Sequence, residues 1–190
     1  GIHNDVVHRH NVGMLKRSGE PCLAHGREVV LFDEPATGLD PVMSEFVDKL
    51  IEQARERYRM TSVIVSHDMT STLHLANRIA MLERGRIIDY GPVDEVLASP
   101  HDLVKVFFAG ADRARRLEPA ASDRRPIPGR LPEPPAEGAQ PIVELIDVNK
   151  RFGTHQVLDG VNLKIPPGRI TVLIGGSGSG KSVIMRHIIG

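Results

Sequence analysis

"ITVLIGGSGSGKS", Ile170–Ser182, is the stretch whose reading decides the fold. Its first five residues form a short, continuous run of strand-favouring side chains, the pattern of a strand buried in a parallel sheet. That run enters Gly175-x4-Gly180-Lys181-Ser182, the spacing of a phosphate-binding loop. Glycines let the backbone curl with its N–H groups turned inward on phosphate oxygens. "KSVIMRHII" then starts a helix, whose N-terminal end adds a positive dipole. In such a loop Lys181 reaches the β- and γ-phosphates and the Ser182 hydroxyl can hold Mg²⁺. Gly175, Gly176, Ser177, Gly178, Ser179, Gly180, Lys181 and Ser182 are therefore the candidate nucleotide-binding residues, with ATP and Mg²⁺ as the expected ligands.

Far upstream, "VVLFDEPATGLDP" (Val29–Pro41) has an apolar strand ending in two carboxylates. Beside a phosphate loop, Asp33 is placed to hold Mg²⁺ directly or through water, and Glu34 to polarise an attacking water. After Pro41 the apolar positions Val42, Phe46, Val47, Leu50, Ile51, Ala54 and Tyr58 predict an amphipathic helix of about five turns. "SVIVS" reads as a buried strand, "TSTLHLANR" as a helix and "IAMLERGRIIDYG" as a hairpin around Arg84-Gly85. "PVDEVLA" opens a further helix. Past residue 140, "IVELIDVNKRF" and "VNLKI" read as two strands.

Composition breaks after Gly110. Residues 111–140 carry Pro119, Pro126, Pro128, Pro132, Pro134 and Pro135 and little large apolar side chain, so they read as a linker that cannot bury a core. The alternative is a long structured loop. Three segments follow: 1–110, the linker 111–140, and 141–190. Bulk composition is that of a soluble globular chain, with 24 basic residues balancing 24 acidic ones. No global field argues for a nucleic-acid partner, and no apolar run approaches the ~20 residues that span a bilayer. Cys22 is the single cysteine, so it reads as a small buried hydrophobe in a reducing cytoplasm. His3, His8 and His10 have no Cys or acidic cluster to make a metal site.

"LFDEPATGLDP" followed by "VIVSHD" resembles the second half of an ABC-type ATPase, and residues 142–190 resemble the first half of another. The resemblance implies an α/β P-loop NTPase core, incomplete or permuted, with its helical subdomain missing. It implies that Asp33 is the Walker B aspartate and Glu34 the catalytic glutamate. Asp40, with Gly38 and Leu39, matches the D-loop. His67 matches the switch histidine that touches the γ-phosphate; by itself it also reads as a core histidine after a strand. Phe152 stands where the family places an adenine-stacking aromatic, and is equally an ordinary packing residue. The partners so implied are a second ATPase domain in a sandwich and transmembrane permease subunits, at the inner face of a bacterial inner membrane. "GGSGSGKSVIMRHIIG" and "GPVDEVLASPHDLVKVFFAG" look most like lipid importers of the Mla/Mce type.

Two departures stand beside this likeness. "HNVGMLKR" keeps only Gly13, Met14, Lys16 and Arg17 of the family signature, and "RSGEPCLAHG" lacks the helix period expected next, as a reading-frame error would produce. The motifs also stand in reverse order. A fragment of a tandem protein, a circularly permuted core, and a nucleotide-binding or assembly module without turnover each account for that order. The abrupt stop after Lys181 favours the tandem fragment. A linker of this length spans roughly 30 Å, enough for the phosphate-loop strand to pair beside Val29–Phe32.

Overall fold

The computed structural model of the chain describes residues 29–58, 60–117 and 140–189. The signature remnant, Cys22, the N-terminal histidines and residues 118–139 of the expected linker lie outside the described residues. In chain order the elements are β1 (Val29–Asp33), α1 (Pro41–Tyr58), β2 (Thr61–Val65), α2 (Met69–Leu75), β3 (Arg78–Glu83) and β4 (Arg86–Pro92). There follow α3 (Val93–Leu97), α4 (Asp102–Leu117), β5 (Val143–Phe152), β6 (His155–Ile165), β7 (Ile170–Ile174) and α5 (Lys181–Ile189).

A five-stranded sheet runs in the order β1-β2-β7-β3-β4, and β5 pairs with β6 in a separate two-stranded ribbon. β7, from the far end of the sequence, lies between two strands of the first half. It is parallel to β2, with Ile64 opposite Val172, and parallel to β3, with Ile79 opposite Val172. The expectation that it would pair beside Val29–Phe32 is corrected: β2 stands between them. Side-chain anchors fix its entry. The Gly168 and Ile170 N–H groups donate to Thr61 Oγ1 at 2.9 Å and Asn77 Oδ1 at 2.8 Å.

Alternation along β7 divides its side chains between the two faces. Ile170, Val172 and Ile174 join Ile51 of α1, Leu75 of α2, Val96 of α3, and Val104 and Phe108 of α4. Leu173 points the other way, into a cluster with Leu145, Leu158 and Leu163 of the ribbon and Ile184 of α5. The first half of the chain thus covers one face of the sheet and the second half covers the other. Two further ties join the halves. The Tyr90 hydroxyl donates to the Lys164 carbonyl, while Arg78 stacks 4.7 Å over the Tyr90 ring. Arg86 donates twice to Asp159 Oδ2, at 2.8 and 2.6 Å.

Asp40 caps α1: its Oδ1 accepts from the Val42 and Met43 N–H groups at 2.9 and 3.0 Å, ahead of Pro41 at the first helical position. Three readings need correction. "VVLF" is a half-buried edge strand and not a buried one, because only β2 flanks it. The apolar stripe of α1 is split: Ile51 is buried and Val47 packs against the same cluster, while Val42, Phe46, Leu50 and Tyr58 are exposed, and the other buried residue of the helix is Asp48. α4 continues past Gly110 to Leu117; "ADRARRL" is rich in helix formers and holds no proline, so the expected linker start at 111 is helical.

Asp48 is a buried carboxylate between α1 and α2. Burial raises its pKa above the usual 3.8; a hydrogen bond with Ser71 opposes the shift, and Asp68 adds to it. Its Oδ1 has no hydrogen-bond partner among the described residues. A raised folded-state pKa means that the folded protein binds more protons than the unfolded chain just above that value. Stability from this group therefore falls as pH rises from about 4 through the raised pKa. Asp48→Asn keeps the shape without the charge. It is expected to raise the melting temperature at pH 7 and to leave it unchanged below pH 4; a lower melting temperature at pH 7 contradicts this.

Candidate nucleotide site

β1, β2 and β7 are parallel and in step, with Asp33 opposite Val65 and Val65 opposite Leu173. Their C-terminal ends therefore open on one edge of the sheet. That edge is where open α/β sheets bind ligands. Asp33–Glu34 leaves it from β1, Ser66–His67 from β2, and the glycine loop from β7.

The two catalytic candidates meet there. His67 Nδ1 lies 3.3 Å from Glu34 Oε1, and the Thr37 hydroxyl donates to Glu34 Oε2 at 3.1 Å. The Glu34 N–H donates to the Val65 carbonyl at 2.8 Å, extending the β1–β2 ladder by one residue. Glu34 itself sits at φ 50°, a conformation that costs a non-glycine residue about 1–3 kcal/mol and clusters at functional sites. Its side chain and that of His67 are part exposed, so both can meet solvent or a ligand. Sequence reasoning missed Thr37; a hydroxyl three residues after the candidate Glu34 was the available signal.

In the loop, Lys181 is buried and donates to the Gly175 and Gly176 carbonyls at 2.8 and 2.9 Å. Two of its three N–H groups are engaged by the loop, leaving one for a phosphate oxygen. Gly176, Ser177 and Gly178 are exposed, and space is open beside Gly176 and Gly178 where a side chain would stand. Gly175 and Gly180 are tight instead. A Cβ at Gly175 would run into the Leu82 carbonyl oxygen, and one at Gly180 would come within 2.8 Å of Leu158 Cδ2. The Ser179 hydroxyl is buried without a partner among the described residues. Open backbone at the tip, a held ammonium and an orphaned hydroxyl fit a polyphosphate.

Ser182, exposed at the first turn of α5, and Asp33, exposed at the end of β1, offer the oxygen donors that Mg²⁺ prefers. Asp40 is occupied as the α1 cap. Phe152 ends β5, is 54% exposed, and has the Lys150 ammonium 5.6 Å from its ring centroid. It is an exposed aromatic ring on the surface, beside the Lys150 ammonium, and not a packed core residue.

The chain is similar to known proteins. The ABC transporter family profile matches residues 158–190, which hold the phosphate loop. The glycine betaine/proline betaine transport system ATP-binding protein ProV of Escherichia coli (strain K12) is 30% identical over 145 residues, covering 74% of this chain and 36% of that protein. The phosphate import ATP-binding protein PstB of Thermotoga maritima is 41% identical over 90 residues, 47% of this chain and 35% of PstB. A putative ABC transporter ATP-binding protein of Methanosarcina mazei is 24% identical over 201 residues, covering 98% of this chain and 36% of that protein. The chain thus spans about a third of the length of these relatives. In site sequence, sheet order and relatives, the chain carries the α/β P-loop ATP-binding fold of the ABC transporter family.

Proposed function

We propose that the chain holds the ATP site of an ABC-type transport ATPase, assembled from the second half of one domain and the start of the next, which fold together as one permuted core. The observation that carries this is the Glu34–His67 contact at 3.3 Å on the sheet edge from which the glycine loop also leaves. The tandem origin is supported by the Methanosarcina relative, whose match runs through 98% of this chain and so takes in both halves in the order they have here.

In this reading Lys181 and the loop N–H groups hold the β- and γ-phosphates, and Phe152 offers its face to adenine. Ser182 and Asp33 would hold Mg²⁺, which when bound supplies charge neutralisation at the transferred phosphoryl group. Glu34 accepts a proton from the attacking water. His67, held by the same carboxylate, stands ready for the γ-phosphate. Asp40 sets the start of α1 and presents the D-loop to a second ATPase domain. Positioning and electrostatics supply most of the rate in phosphoryl transfer. The residual signature lacks the serine that closes the family's sandwich, and loss of one such clamp costs about 10²–10³ in rate. Slow turnover is the expected result, with nucleotide still bound.

Permease subunits and a membrane-bound station remain part of the proposal; among the described residues no helix is long and apolar enough to cross a membrane. A lipid cargo, expected from the likeness of "GGSGSGKSVIMRHIIG" and "GPVDEVLASPHDLVKVFFAG" to lipid importers, draws no support from the relatives, whose names give glycine betaine, phosphate and methionine.

The test is ADP release by the purified chain. Glu34→Gln removes the base and keeps the shape, so it is expected to lower the single-turnover rate at least about 100-fold while ATP affinity stays within twofold. An unchanged rate removes Glu34 from catalysis. Absence of MgATP binding by the wild type overturns the nucleotide reading itself.

A further inference from the structure

The hairpin between β3 and β4 meets the phosphate loop. The Gly85 N–H donates to the Ser179 carbonyl at 3.0 Å, and the Gly85 carbonyl accepts from the Asp159 N–H at 2.9 Å. Gly85 stands at φ 80°, and a Cβ there would run into the Val157 carbonyl oxygen, with Val157 C at 2.9 Å. The next residue, Arg86, holds the Asp159 carboxylate. On the other side, the Leu82 carbonyl of β3 fills the place of a Gly175 side chain. Leu82 and Gly85 thus grip the loop at Gly175 and at Ser179, while β6 supports the hairpin from behind. None of these atoms needs to touch a nucleotide.

The geometry points to Gly85 as a positioning residue: it clamps the phosphate loop in its binding shape, so phosphate affinity at residues 175–182 is set by a turn from the other half of the chain. This rests on the nucleotide reading above. The glycine is required twice, for its positive φ and for the missing Cβ. A side chain there must push the turn away from Val157 and draw its N–H off Ser179. The exposed Arg86–Asp159 pair adds little alone; the backbone bonds carry the clamp.

Gly85→Ala is expected to weaken binding of MgATP and of magnesium pyrophosphate alike, each at least about tenfold. Gly168→Ala is the control. Gly168 also has a positive φ, 65°, but stands at the opposite end of β7 from the loop. It carries comparable backbone strain and is expected to keep both affinities within twofold. Equal losses in the two variants, or wild-type affinity in a folded Gly85→Ala protein, overturn the clamp.

Hydrogen exchange on the unmodified chain removes dependence on how the variant folds. Saturating MgATP is expected to slow exchange of the Gly85 amide at least about tenfold, and to leave it unchanged in Lys181→Ala. A Gly85 amide indifferent to MgATP in a wild type that binds it overturns the clamp and spares the nucleotide site. A wild type that does not bind overturns both.

Discussion

Replacing Lys181 with alanine is expected to abolish detectable MgATP binding. The ammonium is buried and already oriented by the Gly175 and Gly176 carbonyls at 2.8 and 2.9 Å, so little ordering remains to be done when phosphate arrives. Hydrogen bonds from a charged donor contribute about 1.5–3 kcal/mol each. Losing the cation therefore costs roughly up to 100-fold, and from a weak starting affinity that falls below detection. Alanine also leaves two loop carbonyls without their donor. Lys181→Met, which keeps the apolar stem but not the charge, separates this effect from local collapse. Calorimetric titration of both variants, with circular dichroism to confirm the fold, is the measurement. Equal ATP affinity in wild type and variants would remove the phosphate loop from the account.

The loop was legible in sequence because strand, spacing and helix stand side by side in Ile170–Ile189. The same holds for the helix start at Pro41 and the Arg84-Gly85 turn, where the signals act within a few residues, whereas the capping role of Asp40 came only with the structure. What escaped was non-local. "VVLF" is as apolar as a central strand, and only the sheet order makes it an edge. The stripe from Val42 to Tyr58 has helical period, yet periodicity names a face without saying how much of it is covered; Ile51 and Val47 reach the core, while Val42, Phe46 and Leu50 stay exposed. "RG" reads as an ordinary hairpin turn, and nothing local to it announces that Gly85 touches Ser179. The neighbours of β7 were misassigned for the same reason: strand pairing is decided by which edges need covering, and that is not written in either strand.

The insertion of β7 is the centre of the account, and Leu173 is where it is most exposed to test. Leu173 is fully buried, on the face shared with β5, β6 and α5, and its carbonyl accepts from the Ser66 N–H at 3.2 Å. Leu173→Ala leaves a cavity at the middle of the sheet, and such changes cost about 2.7–5.0 kcal/mol. Against a typical total of about 5–15 kcal/mol, that is a large share of the stability. If the halves form one core, the loss cannot stay in the half that carries the mutation. Hydrogen exchange followed by mass spectrometry on Leu173→Ala and wild type, under native conditions, reads this directly. Amides of β2 (61–65) and β3 (78–83) are expected to exchange about 100-fold faster in the variant, together with those of β7. Faster exchange confined to residues 143–189, with β2 and β3 unchanged, would contradict a shared core.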